Sequence, residues 1–144
     1  MAVALLDINV LLALAWPNHL HHNAAHLWLA AHKHDGWATC PHTEMGFLRL
    51  SMQPAVVKTA ITFADALKAL TTNTSSPDHH FWPHTLPFAH IAGEIQTRIG
   101  GHYQLADAML LDLAIRHAGK LATFDLRISA LLPRDHSAIA LIPL

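Results

Sequence analysis

The sequence predicts an α/β fold: a parallel β-sheet covered by helices on both faces. Three observations carry that reading. Short runs of strand length alternate along the chain with longer stretches of helical periodicity. One of those runs, Leu121 to Phe124, is short and mainly apolar, consistent with a strand buried on both faces. The stretch Ala106 to Asp125 reads as one helix, one tight turn and one strand, the repeating unit of such a sheet.

Taken in order, Ala2 to Leu6 is a buried first strand ending at Asp7. Ile8 to Ala15 has too many Leu and Ala for a loop and predicts a short helix, broken by Trp16-Pro17-Asn18. His21 to His34 predicts a second helix, with Ala25, Leu27, Trp28 and Ala31 as its apolar positions and Asp35-Gly36 as its end. Trp37 to Cys40 is the next strand. Pro41 suits the first turn of a helix that continues through Glu44, Phe47, Leu48 and Leu50 as far as Pro54. Val56 to Leu70 reads as one amphipathic helix, with Val56, Val57, Ala60, Phe63, Ala64, Leu67 and Leu70 inward and Lys58, Asp65 and Lys68 outward. Thr71 to Asp78 is a polar loop, His80-Phe81-Trp82 a brief strand stopped by Pro83, and Phe88 to Ile99 a helix ended by Gly100-Gly101. In the next helix Ala106, Met109, Leu110, Leu113, Ala114 and His117 share one face, and Gly119 is its C-terminal stop. Ala138 to Ile142 is the last strand. No repeat, low-complexity tract or linker divides the chain, so residues 1–144 are expected to form one domain.

The totals narrow the classes. A chain of 144 residues buries about two-thirds of its unfolded surface. Its hydrophobic fraction of 52% leaves apolar surface for a partner. The net charge of −1 announces no global basic field, although 14 histidines raise it below about pH 6.5. The single cysteine, Cys40, forms no internal disulfide, which suits a reducing cytoplasm. No signal peptide is convincing, and no apolar run approaches the ~18 residues of a membrane span.

Four acids gather on one predicted edge. Asp7 and Asp125 end strands, Glu44 lies in the first turn of a helix after the second strand, and Asp107 heads the helix that precedes Asp125. Helix and strand run in opposite directions in a parallel unit, so the head of one and the end of the other share an edge, beyond the carboxyl ends of the strands where ligands bind. Each acid alone has a plainer role, at a helix N-terminus or in a turn. Together, unpaired, they would repel one another and call for a hard cation; oxygen-only donors suit Mg²⁺ or Mn²⁺. Asp7 and Asp107 are the most direct ligands in this reading, Asp125 completes the coordination or holds water, and Glu44 orients water or a second ion. Such a metal activates water and stabilises a phosphoryl transition state.

Neighbouring residues leave alternatives open. Asn9 holds a carboxylate or caps a helix, and Thr123 touches the site or only packs. Arg49 and Arg127 bind phosphate or form surface salt bridges. Asp112, about 140° around the helix from Asp107, reads as a solvated or partner-facing acid. His22 and His26 have the i, i+4 spacing of a zinc pair without the other ligands. Cys40 reads as a packed small residue. There is no P-loop, no dinucleotide-binding glycine pattern and no Gly-x-Ser-x-Gly elbow.

The ordered set resembles the PIN-domain nucleases, in particular the VapC toxins of bacterial toxin–antitoxin pairs. It consists of Leu6-Asp7-Ile8-Asn9-Val10-Leu11-Leu12, the Trp16-Pro17-Asn18-His19 break, Glu44-Met45-Gly46-Phe47-Leu48-Arg49, Ala106-Asp107-Ala108 and Ala118-Gly119-Lys120-Leu121-Ala122-Thr123-Phe124-Asp125, and it spans nearly the whole chain. The resemblance implies a PIN-like parallel sheet between helices and a Mg²⁺- or Mn²⁺-dependent endoribonuclease that blocks translation. It also implies a homodimer, a cognate antitoxin that inserts near the site, and an acidic constellation at Asp7, Glu44, Asp107 and Asp125 with Asn9 as the small polar neighbour. The chain is poorer in Lys and Arg, and richer in His, than an RNA binder suggests. A phosphatase of haloacid-dehalogenase type also starts with an acid after the first strand, but wants Asp where Asn9 stands. A receiver domain wants an acidic pair and a late Lys that are missing. A degenerate, non-catalytic binding domain is disfavoured by the intact acids.

Overall fold

Strand β1 (Ala4–Leu6) ends at Asp7, whose carboxylate accepts a 2.7 Å bond from the Ile8 amide and so caps helix α1 (Ile8–Ala15). The structure, a computed structural model, describes residues 2–144. The five strands are all parallel, in the order β3-β2-β1-β4-β5: β2 is Trp37–Thr39, β3 His79–Phe81, β4 Lys120–Thr123 and β5 Ile139–Leu141. β1 is the middle strand, with Leu5 opposite both Ala38 and Leu121. Side chains alternate across it: Leu5 joins one core with Ala38, Leu111 and Leu121, while Ala4 and Leu6 join another with Val10, Trp37 and Phe47. Each face of the sheet therefore has its own hydrophobic layer, as the α/β reading requires.

Helix α2 (His22–His32) lies across the end of α1. The rings of His22 and His26 bond the Ala13 and Leu14 carbonyls at 2.7 and 2.8 Å. Those carbonyls lack partners within α1, so the two histidines serve as its C-terminal cap rather than as zinc ligands. The buried face of α2 is Ala25 with Trp28 and Leu29; Leu27, expected inward, is 75% exposed, and Ala31 is exposed too. Helix α3 (Pro41–Ser51) follows β2 with Pro41 in its first turn.

The expected helix from Val56 to Leu70 is two helices. α4 (Pro54–Val57) ends at Lys58, which is left-handed at φ 65°, and α5 (Phe63–Thr74) starts afresh. The cause is local: Thr62 Oγ1 accepts from the Asp65 amide at 3.1 Å while Asp65 accepts from the Thr62 amide at 3.2 Å. A reciprocal cap of this kind fixes a helix start more firmly than periodicity does. The inward residues are Val57, Ala66 and Leu70, whereas Val56, Phe63 and Leu67 are exposed. α5 also takes up the first part of the expected polar loop.

The expected helix from Phe88 to Ile99 is reduced to a 3-10 turn at Phe88–His90 and the single-turn helix α6 (Gly93–Gln96). Helix α7 (Leu105–Arg116) explains why. Its Asp112 accepts from the Ala92 amide at 2.8 Å, and its Arg116 donates to the His90 carbonyl, so the segment is pinned across α7. Asp112 is thus buried at 6% exposure and paired with Arg116 at 2.6 Å, not solvated or partner-facing. After α7 the left-handed residue is Ala118 (φ 52°), not Gly119. Gly119 meets a different need: a Cβ there would lie 2.5 Å from the Val3 carbonyl oxygen and 2.7 Å from the Trp82 ring.

Candidate active site

Because every strand is parallel, the residues that follow β1, β2 and β4 and the first turns of α3 and α7 meet at one edge of the sheet. Asp7, Glu44, Asp107 and Asp125 all occupy that edge, but they do not form one group.

Asp7 is fixed from two sides. Beyond the Ile8 amide, its second oxygen accepts from Thr123 Oγ1 at 2.7 Å. Thr123, fully buried at the end of β4, in turn accepts from Asn9 Nδ2 at 3.3 Å and from the Asp125 amide at 3.1 Å. Asn9 is therefore not a helix cap; it steadies the hydroxyl that steadies Asp7. Burial pushes the Asp7 carboxyl above its ordinary range, opposed by those two hydrogen bonds.

Asp107 is pushed up to about 6, first by burial and then by the charges of Asp7 and Asp125. Asp125 is held low because Arg127 grips it: Nη2 donates at 2.7 Å and Nε at 3.0 Å. The salt-bridge reading of Arg127 is therefore the one observed, while Arg49 lies in the last turn of α3, far along the helix from the edge.

Glu44 is held by other partners. Thr39 Oγ1, fully buried at the end of β2, donates to it at 2.6 Å and lies 2.7 Å from His79 Nε2. The charge of Glu44 acts on His79 and Cys40, whereas the charges acting on Asp107 are those of Asp7, Asp125 and Arg127. The sequence reading missed Thr39 and His79. The available signal was positional: Thr39 ends its strand just before a helix, as Thr123 ends β4. Cys40 is buried and its thiol is raised by burial, which makes it unreactive.

Among the described residues, no three His, Cys, Asp or Glu side chains converge closely enough to hold an ion as they stand. Asp125 is turned to Arg127 and Glu44 to Thr39. The chemistry of the donors still fits a hard divalent cation. Asp7, Asp107 and Asp125 offer oxygen alone, and the repulsion that adds to the effect of burial on Asp107 is the kind a cation relieves.

Residues 4–131 match the family described as PIN domain. The chain is 42% identical over 122 residues to a protein named Ribonuclease VapC39 of Mycobacterium tuberculosis, covering 85% of this chain and 88% of that one. It is 42% identical over 123 residues to Ribonuclease VapC38 of the same organism, covering 85% of each. It is 38% identical over 122 residues to Ribonuclease VapC44, again covering 85% of each. The five-stranded parallel sheet, the acids along its edge and these matches agree, and the chain belongs to the PIN-domain family, among the VapC proteins.

Proposed function

We propose that this chain, working as one domain over residues 1–144, is the toxin of a toxin–antitoxin pair. In this reading it is a Mg²⁺- or Mn²⁺-dependent endoribonuclease that cuts RNA phosphodiester bonds and so blocks translation in the cytoplasm. The observation that carries the reading is the placement of Asp7, Asp107 and Asp125 at one edge of the parallel sheet, where burial first and then the charges of Asp7 and Asp125 raise Asp107 to about 6. Asp7, Asp107 and Asp125 would hold the cation. When bound, it supplies acidified water and offsets charge that builds on the phosphate.

The chain's own residues supply the rest. Asp7 is preset by Thr123 and Ile8 and needs no reorganisation. Asp107 gives up its proton near pH 6, so it is ionised at neutral pH. Asp125, now paired with Arg127, would share its carboxylate with the cation, and the guanidinium would then be available to a phosphate oxygen. Glu44, held by Thr39 beside His79, orients water at the same edge. A phosphatase of haloacid-dehalogenase type needs an acid at position 9, and Asn9 is bonded to Thr123 instead.

Apolar residues left exposed on α2 and α5, Leu27, Phe63 and Leu67, support a homodimer and a cognate antitoxin. Cytoplasmic residence is supported by the one cysteine being free and buried; among the described residues no helix is long and apolar enough to cross a membrane.

The test is cleavage of RNA by the purified chain with Mg²⁺ or Mn²⁺. Asp7→Asn and Asp107→Asn should abolish it, while Glu94→Gln, an exposed acid on α6, should not. Asp112→Asn is unsuitable as a control, because Asp112 anchors the segment around Ala92. Folded Asp7→Asn and Asp107→Asn proteins that cut at the wild-type rate would place the site elsewhere.

A further inference from the structure

A cavity of about 590 Å³ opens beside the acid edge and is continuous with it through Asn9 and Asp125. That volume lies in the range of pockets that enclose a small ligand. Its walls come from four places: Asn9 and Leu12 on α1, the break between α1 and α2, the end of α4, and the two residues after β4. We propose that this cavity receives the base of an unpaired ribonucleotide next to the scissile phosphate, stacked against Phe124 and His21.

The walls fit a base. The His21 and Phe124 rings lie 5.0 Å apart at 36°, forming an aromatic surface that is only half-buried. Trp16 closes another side and is held rigid, stacked on Phe47 at 6.1 Å and bonded to Ser51 at 2.9 Å. Flat, fixed aromatic walls are how proteins hold splayed-out bases. Polar groups for a base edge are present too. His19 Nδ1 accepts from the His21 amide at 3.0 Å, so the neutral ring carries its proton on Nε2, ready to donate. The rim carries one cation, Lys58, whose left-handed backbone ends α4 at the cavity mouth; Asn18 ties that end down through the Val57 carbonyl at 2.8 Å.

The charge balance argues the same way. A chain with 9 Lys and Arg and a net charge of −1 gains little from phosphate contacts. Stacking is the remaining source of affinity for a single strand. It also gives a strand a fixed register, since the cavity that Phe124 lines opens on the acid edge through Asp125.

The proposal rests on the ribonuclease reading, and the experiment separates the two. The full chain is titrated with the four nucleoside 5′-monophosphates and with ribose 5-phosphate, and the ring resonances of His21 and Phe124 are followed by NMR. In parallel, cleavage of a randomised short RNA is sequenced for wild type, His21→Ala and Phe124→Leu. The expected result is ring shifts with at least one nucleotide and none with ribose 5-phosphate. Both variants should also lose roughly ten-fold in kcat/KM and flatten the base preference at one position beside the cut. If RNA is cut but no nucleotide shifts the rings, the base pocket is wrong and the ribonuclease reading stands. If nucleotides shift the rings but RNA is never cut, the pocket stands and the ribonuclease reading falls. If ribose 5-phosphate shifts the rings as well as any nucleotide does, the cavity reads phosphate and the proposal is overturned.

Discussion

Asp107→Asn should make the metal-free protein more stable, not less. The wild-type carboxyl moves from 3.8 in an ordinary setting to about 6 in the fold. A group whose folded pKa is raised costs nothing while it is protonated. The cost therefore begins as pH rises past the unfolded value and is complete once the folded group ionises. A displacement of about two units corresponds to about 3 kcal/mol at 1.36 kcal/mol per unit. Asp107 is only half-buried, so solvent screening brings the expected penalty to about 1.5 kcal/mol. Asn keeps the shape and carries no charge. Urea unfolding in EDTA should show the two proteins about equal near pH 4 and the variant ahead by about 1–2 kcal/mol from pH 7 upward. In melting temperature that is about 3–6 °C for a chain of this size. Saturating Mg²⁺ should reverse the order, because only the wild type retains its full ligand set and ligand binding stabilises the folded state. A variant that is less stable than wild type at pH 8 in EDTA, or a difference that does not change between pH 4 and 8, would refute the raised Asp107 carboxyl.

Thr123→Val should remove the hydroxyl that holds Asp7 and cost about 1–3 kcal/mol, read from denaturant midpoints. Gly119→Ala should lower stability by at least about 2 kcal/mol, since its Cβ meets the Val3 carbonyl, whereas Ala118→Gly should raise it by up to about 1 kcal/mol by relieving a left-handed alanine. Cleavage should stop in EDTA and return with Mg²⁺ or Mn²⁺; full activity in EDTA would exclude the proposed chemistry. RNA affinity measured in the Asp7→Asn protein between 50 and 200 mM salt should fall with a shallow slope, of magnitude below about 3, because few cations face the site. A homodimer mass in solution is expected, and a monomer at micromolar concentration would remove that proposal.

Much of the fold was legible because the strongest signals were the ones that mattered. β1, α1, β2, α3, α7, β4 and β5 follow from short apolar runs and their helix breaks. What sequence periodicity misread was decided by tertiary or capping contacts. The Thr62–Asp65 box divides one apparent helix into two, and Asp112 with Arg116 draws the segment near Ala92 out of helix. Asp112 was misread for the same reason: a helical wheel gives an angle but cannot say which loop comes to lie over it. At the edge, the sequence located all four acids. It could not show that Glu44 answers to Thr39 and, through it, to His79, while Asp107 answers to Asp7 and Asp125, because partners such as His79 and Thr123, forty or more residues from the groups they bond, leave no trace in spacing.

Thr123 has one proton to give. Asn9 Nδ2 and the Asp125 amide can only donate to its oxygen, so that proton must go to Asp7. The order of giving and receiving is thus fixed from Asn9 and Asp125 inward, and nothing along it can be reversed. A residue at position 123 has to receive and give through a single atom. Serine meets that demand, asparagine divides the two roles between two atoms, and valine offers neither. The identity of the acid after β1 is therefore written partly at the end of β4, more than a hundred residues away, as a constraint on which side chain can stand there.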